Sequence, residues 1–90
     1  MKNKIEISLL SKVINSVHSF SVDNVEKTFC HIEGLGLLPP EKVLVLKGKA
    51  KELVKLVNSG TSIVDEGYCK KFEILRDETA TAFGLNPAEL

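Results

Sequence analysis

The stretch from Pro39 to Leu85 constrains this chain most, because its punctuation and apolar spacing leave little room for anything but two helices folded back on each other. Pro39-Pro40-Glu41 is a strong helix start. A proline at the first helical position loses no intrahelical bond, and an acid there sits at the positive end of the helix dipole. From that point Val43, Leu46, Ala50, Leu53 and Val57 recur at spacings of three, four, three and four, a seam widened by Val54 and Leu56. Asn58-Ser59-Gly60 stops the first arm, and Thr61 or Ser62 is the expected cap of the second, with Asp65 three residues after Ser62. Val64, Tyr68, Phe72, Leu75 and Ala82 mark the inner stripe of that second arm, and Gly67 leaves Tyr68 as an alternative start. Phe83-Gly84-Leu85 reads as a Schellman stop, after which Asn86-Pro87 begins a new turn. The Val43-Leu44-Val45-Leu46 run also fits a buried strand at 43–47 ending at Gly48, which would make a small α/β protein. Periodicity that continues in phase across Gly48 favours one helix, at a cost of roughly 1 kcal/mol for the mid-helix glycine.

The residues before the hairpin follow the same grammar. Ile5, Leu9, Leu10, Val13, Ile14 and Val17 fall on one stripe of a helix over 3–19, with Lys4, Ser8, Ser11, Lys12 and Asn15 on the other face. Ile5, Ile7 and Leu9 alternate as a strand would, but the helical spacing runs longer. His18-Ser19-Phe20-Ser21 breaks the pattern, and Asp23 with Glu26 forms a plausible capping pair for a second helix over 23–33, buried through Val25, Phe29 and Ile32 and ended by Gly34. Leu35, Leu37 and Leu38 are expected to plug the junction before the hairpin. The expectation is one all-α domain over 1–90, with four helices at 3–19, 23–33, 40–59 and 62–83.

Ninety residues permit one modest core, and 43% hydrophobic residues without any Trp mean that Leu, Val and Ile must build it. Twelve basic and twelve acidic residues cancel, so no whole-chain field draws in nucleic acid or an anionic membrane. Residues 41–59 carry five Lys against two Glu, a net of +3, while residues 60–90 carry three basic against six acidic, a net of −3. Oppositely charged arms favour antiparallel pairing and equally favour contacts between chains, so a homo-oligomer is expected. Two cysteines outside any CxxC pattern, no apolar run of membrane-spanning length and no signal-like amino terminus point to a reducing, cytoplasmic setting.

Little here carries chemistry. Cys30-His31 are sequence neighbours and point apart on a helix, His18 and Cys69 are isolated, and no second ligand pair lies at a zinc-like spacing. Asp65-Glu66 and Asp77-Glu78 each have Lys or Arg within a turn, as ordinary helix ion pairs do. The glycines lack the frame of a phosphate cradle. No catalytic residue, metal or cofactor is therefore expected. The one basic concentration is Lys47, Lys49, Lys51 and Lys55: three of them form a row along one helix edge at spacings of four, with Lys49 on an adjacent edge. Such a row either lies in solvent as a coiled-coil flank or follows DNA phosphates, although no aromatic or Arg accompanies it.

The segment from Val25 to Leu90 resembles the core of the small subunit of tailed-phage terminases. The likeness lies in Gly36-Leu37-Leu38-Pro39-Pro40-Glu41 leading into a first long helix, in the hairpin itself, and in the closing Phe83-Gly84-Leu85-Asn86-Pro87. The chain departs from that pattern at Val45-Leu46, where the family has Tyr or Trp, and at Ala88-Glu89-Leu90, where an Arg is usual; residues 1–24 match no part of it. The resemblance implies a non-enzymatic, oligomeric phage or prophage protein that recognises DNA and recruits a large terminase subunit. Its hairpin would build a ring, and Lys47, Lys49, Lys51 and Lys55 would touch phosphates. The reading from a different class is a small helical adaptor or inhibitor that binds a host or partner protein through an apolar groove.

Overall fold

Four helices make up about three quarters of the described residues, 4–89, in the computed structural model: α1 Lys4–His18, α2 Val22–Leu35, α3 Pro40–Asn58 and α4 Glu66–Ala82, followed by one 3-10 turn at Pro87–Glu89. The all-α expectation holds, and the strand alternative does not, because residues 43–47 lie inside α3. Residue 3, the expected first residue of α1, lies outside the described residues. Each helix packs on the next, α4 returns to α1, and α1 also meets α3 across the diagonal. This is the arrangement that short loops impose on antiparallel neighbours.

The core is one cluster, assembled from a stripe of each helix. Leu9, Leu10, Val13 and Val17 of α1 meet Val25, Phe29 and Ile32 of α2, and the α3 seam of Val43, Leu46, Ala50, Leu53 and Val54 closes over them. From α4 come Tyr68, Leu75 and Ala80, with Phe83 and Leu85 beyond its end. Two buried hydroxyls interrupt the apolar stripes at no cost in unpaired donors: Ser16 donates to the Val13 carbonyl at 2.6 Å and Thr79 to the Leu75 carbonyl at 2.7 Å. The periodic pattern overreached at its edges. Ile5 is 67% exposed and Val64 81% exposed, and of the leucines expected to plug the junction only Leu38 is buried, while Leu35 and Leu37 face outward.

Helix ends depart from expectation where several polar residues compete for the cap. Ser21, not Asp23, is the N-cap of α2: its backbone is extended and its hydroxyl accepts from the Asn24 amide at 3.4 Å. Asp23 therefore falls inside the first turn, where its charge still complements the dipole. Asp65, not Thr61 or Ser62, caps α4, and its carboxylate accepts from the Gly67 and Tyr68 amides at 2.9 and 3.2 Å. With Asp65 as the cap, α4 begins at Glu66 and residues 61–65 form a loop. Gly34 does not end α2; Gly36 does, in the left-handed conformation with φ 70°.

The Schellman expectation at the end of α4 is met in full. The Gly84 amide bonds the Thr81 carbonyl at 3.0 Å, the Leu85 amide bonds the Ala80 carbonyl at 2.8 Å, and Leu85 is buried against the last turn. Asn86 then caps the 3-10 turn, accepting from the Ala88 amide at 3.0 Å. The α1–α2 corner is less usual. Phe20 adopts φ 57°, a left-handed conformation seldom taken by a bulky residue, and the Asn58 side-chain amide at the far end of α3 donates to its carbonyl at 3.2 Å. That bond ties the corner to the hairpin.

Candidate functional site

The lysine row on α3 is mostly committed to the fold. Lys47 and Lys51 both reach across to Glu26 of α2, the first at 3.4 Å and the second in a direct hydrogen bond. Lys49, on the adjacent edge, pairs with Glu78 of α4 at 2.5 Å, and Lys71 returns the contact to Glu52 at 2.7 Å. The opposed charges of the two hairpin arms are thus spent partly on each other. Lys55 alone of the four is in no ion pair among the described residues; it lies exposed at an open hollow of about 480 Å³ beside Gly48, Glu52 and Ser59. A phosphate seeking the row would have to compete with carboxylates already in place.

Glu26 is the hub of that clasp. The Lys51 hydrogen bond, aided by the charge of Lys47, holds its carboxyl below the ordinary value of 4.5 against an opposing desolvation effect. A carboxyl with a lowered pKa in the fold adds stability that is present above its ordinary value and lost as pH falls through the lowered one. The expected result is that Glu26→Gln lowers stability at neutral pH and low salt and flattens the acid limb of the stability-against-pH curve as pH falls below the ordinary value of 4.5, measured by urea unfolding, with the difference shrinking in high salt. An unchanged acid limb would show that the clasp is not formed in solution.

An open groove lies elsewhere, along the seam between α1 and α2. A groove of about 460 Å³ has Leu9, Ser16 and Ile32 along its floor, with Lys12 and Asn15 from α1 facing Asn24, Lys27 and His31 from α2. A second hollow of about 340 Å³ shares Leu9, Lys12 and His31 with it and continues to Lys4, Ile5 and Leu35. No carboxylate lines either hollow, and Lys4, Lys12 and Lys27 are in no ion pair among the described residues. The α1 edge of Lys4, Ser8, Lys12 and Asn15 is visible in the sequence at helical spacing. What the sequence hides is the Ser19-Phe20-Ser21 corner that sets the α2 edge opposite it.

The remaining reactive side chains do not converge. Cys30 and Cys69 are both free and exposed, and no group of three or more His, Cys, Asp or Glu comes together among the described residues. His18 stacks on Phe72, with ring centroids 5.2 Å apart and planes 8° from parallel, at the end of α1. Nearby, the buried Tyr68 hydroxyl has no protein partner, and its desolvation pushes the phenol upward from its ordinary pKa of 10.0. That group is protonated at neutral pH, so it cannot act as a base there. No described helix is long and apolar enough to cross a membrane. Compared with known proteins, the chain matches no family model, no curated protein and no solved structure.

Proposed function

We propose that this protein is a non-enzymatic helical adaptor that seats a helix of a partner protein in the groove between α1 and α2. One observation carries the reading: the groove follows most of the length of α1, has an apolar floor and leaves apolar Ile5 and Leu35 exposed at one end. Amphipathic helices bind such surfaces by laying residues at i, i+3, i+4 and i+7 into the depression. The test is a titration of the isotope-labelled protein with a synthetic amphipathic helix carrying a leucine seam, followed by amide chemical shifts. Shifts confined to α1 and α2 are expected. Shifts confined to α3 and α4, or none, would reject the groove as the binding surface.

A second reading draws on the hairpin. Its start at Pro40 and its close on Gly84 and Leu85 fall where the resemblance to terminase small subunits places them. On that reading the chain is an oligomeric DNA-packaging protein that hands DNA to a large terminase subunit. Lys55 would be free for phosphate, whereas Lys47, Lys49 and Lys51 would first have to leave Glu26 and Glu78. Light scattering and a gel mobility shift at two salt concentrations test it. A ring-sized mass with binding that falls steeply in salt favours packaging; a monomer indifferent to duplex DNA discards it.

A further inference from the structure

We infer that the partner helix accepted by the α1–α2 groove is acidic along both flanks, an inference that rests on the adaptor reading and narrows it. The argument begins with how the cations are distributed. Lys47, Lys49, Lys51, Lys70, Lys71 and Arg76, all on α3 or α4, are paired with carboxylates of the chain itself. Lys4, Lys12, Lys27, Lys42 and Lys55 are in no such pair among the described residues, and the first three border a depression that no acid lines. Lys12 and Lys27 stand on opposite walls, so a ligand lying between them meets positive charge on both sides. His31, Asn15 and Asn24 add further hydrogen-bonding groups along the same walls.

Length and floor select the occupant. The depression runs from Ile5 to Ser19, about four turns or roughly 20 Å at 1.5 Å per residue, which suits a helix of about 14 residues. Leu9 and Ile32 on the floor, with Ile5 and Leu35 at the open end, give an apolar seam that a phosphate backbone cannot use. A nucleic-acid site would call for more cations, for Arg, or for several aromatic faces on which bases stack, and of these the groove offers only the single imidazole of His31. An amphipathic helix with leucine at the seam and Glu or Asp beside it satisfies floor and walls together. Charge complementarity of this kind raises specificity and association rate more than raw affinity.

The experiment uses the full chain and three fluorescent peptides of about 16 residues that share one leucine seam and carry Glu, Gln or Lys at every flanking position. Anisotropy titrations at low salt are expected to rank them Glu, Gln, Lys, with steps of roughly tenfold that shrink at high salt. The double variant Lys12→Glu, Lys27→Glu should reverse the order while leaving the helical circular dichroism intact, because both lysines are exposed. Equal binding of the Glu and Gln peptides, or no reversal in the variant, overturns the acidic preference and leaves the adaptor reading standing. Failure of all three peptides, with or without binding of a 20-base-pair duplex added as a fourth probe at about the same concentration, overturns both.

Discussion

Replacing Phe29 with Ala is expected to lower the free energy of unfolding by about 3–5 kcal/mol, the largest effect of any single truncation in this chain. Phe29 is fully buried on α2, in the same stripe as Val25 and Ile32. Because α2 packs against both α1 and α3, the cavity left behind would open onto two helix interfaces, and neither can collapse without moving the other. A domain of this size has about 5–15 kcal/mol in total, so the variant would lose a large fraction of it and, at the lower end of that range, would sit near its unfolding midpoint before any denaturant is added. Two comparisons make the result specific. Phe72, half-buried and stacked on His18, should cost clearly less when truncated, and Leu44, 67% exposed on α3, should cost under about 0.5 kcal/mol. Urea unfolding of the three variants checks the ranking. A Phe29→Ala loss below about 1 kcal/mol would mean that α2 does not pack between α1 and α3 as described.

The same contrast separates what is legible in the sequence from what only the fold supplies. Phe29, Val25 and Ile32 recur at helical spacing with no competing pattern, and so do Val43, Leu46, Ala50 and Leu53; all are buried. Spacing identifies a face, and a face is enough when the helix lies deep between neighbours. It fails at the periphery, where Ile5 and Val64 continue the pattern but no partner helix reaches them. Caps were less legible because Ser21, Asp23, Ser62 and Asp65 are all competent, and tertiary packing decides which of them the helix begins after. The basic row on α3 looks different in the fold for a related reason. Counting Lys47, Lys49 and Lys51 in sequence gives a cationic edge, but Glu26 lies more than 20 residues away and only the fold of α2 onto α3 delivers it. Conversely, Lys12 and Lys27 look unremarkable alone, and only the α1–α2 corner sets them on opposite walls of one groove.

A glycine series should give effects of opposite sign at two positions. Gly48 lies within α3, exposed, with nothing within 4 Å of a Cβ built on it, so Gly48→Ala removes a helix-interior glycine without a clash. A gain of about 1 kcal/mol is expected, from the smaller freedom of the unfolded chain and the better helix propensity of Ala. Gly84 also has open space around a Cβ, but its φ is 80°, so the penalty for Gly84→Ala is purely one of backbone conformation, about 1–2 kcal/mol. If the backbone relaxes instead, the Leu85 amide leaves the Ala80 carbonyl and Leu85 leaves the core, which costs a comparable amount. The two variants should therefore differ by at least about 2 kcal/mol, on the order of thirtyfold in the folded-to-unfolded ratio, although each adds the same methyl group to a surface position. Gly48→Ala carries the sharper test of architecture. Were residues 43–47 a strand turning at Gly48, alanine there would destabilise the chain; a stabilised variant places that glycine inside one unbroken helix.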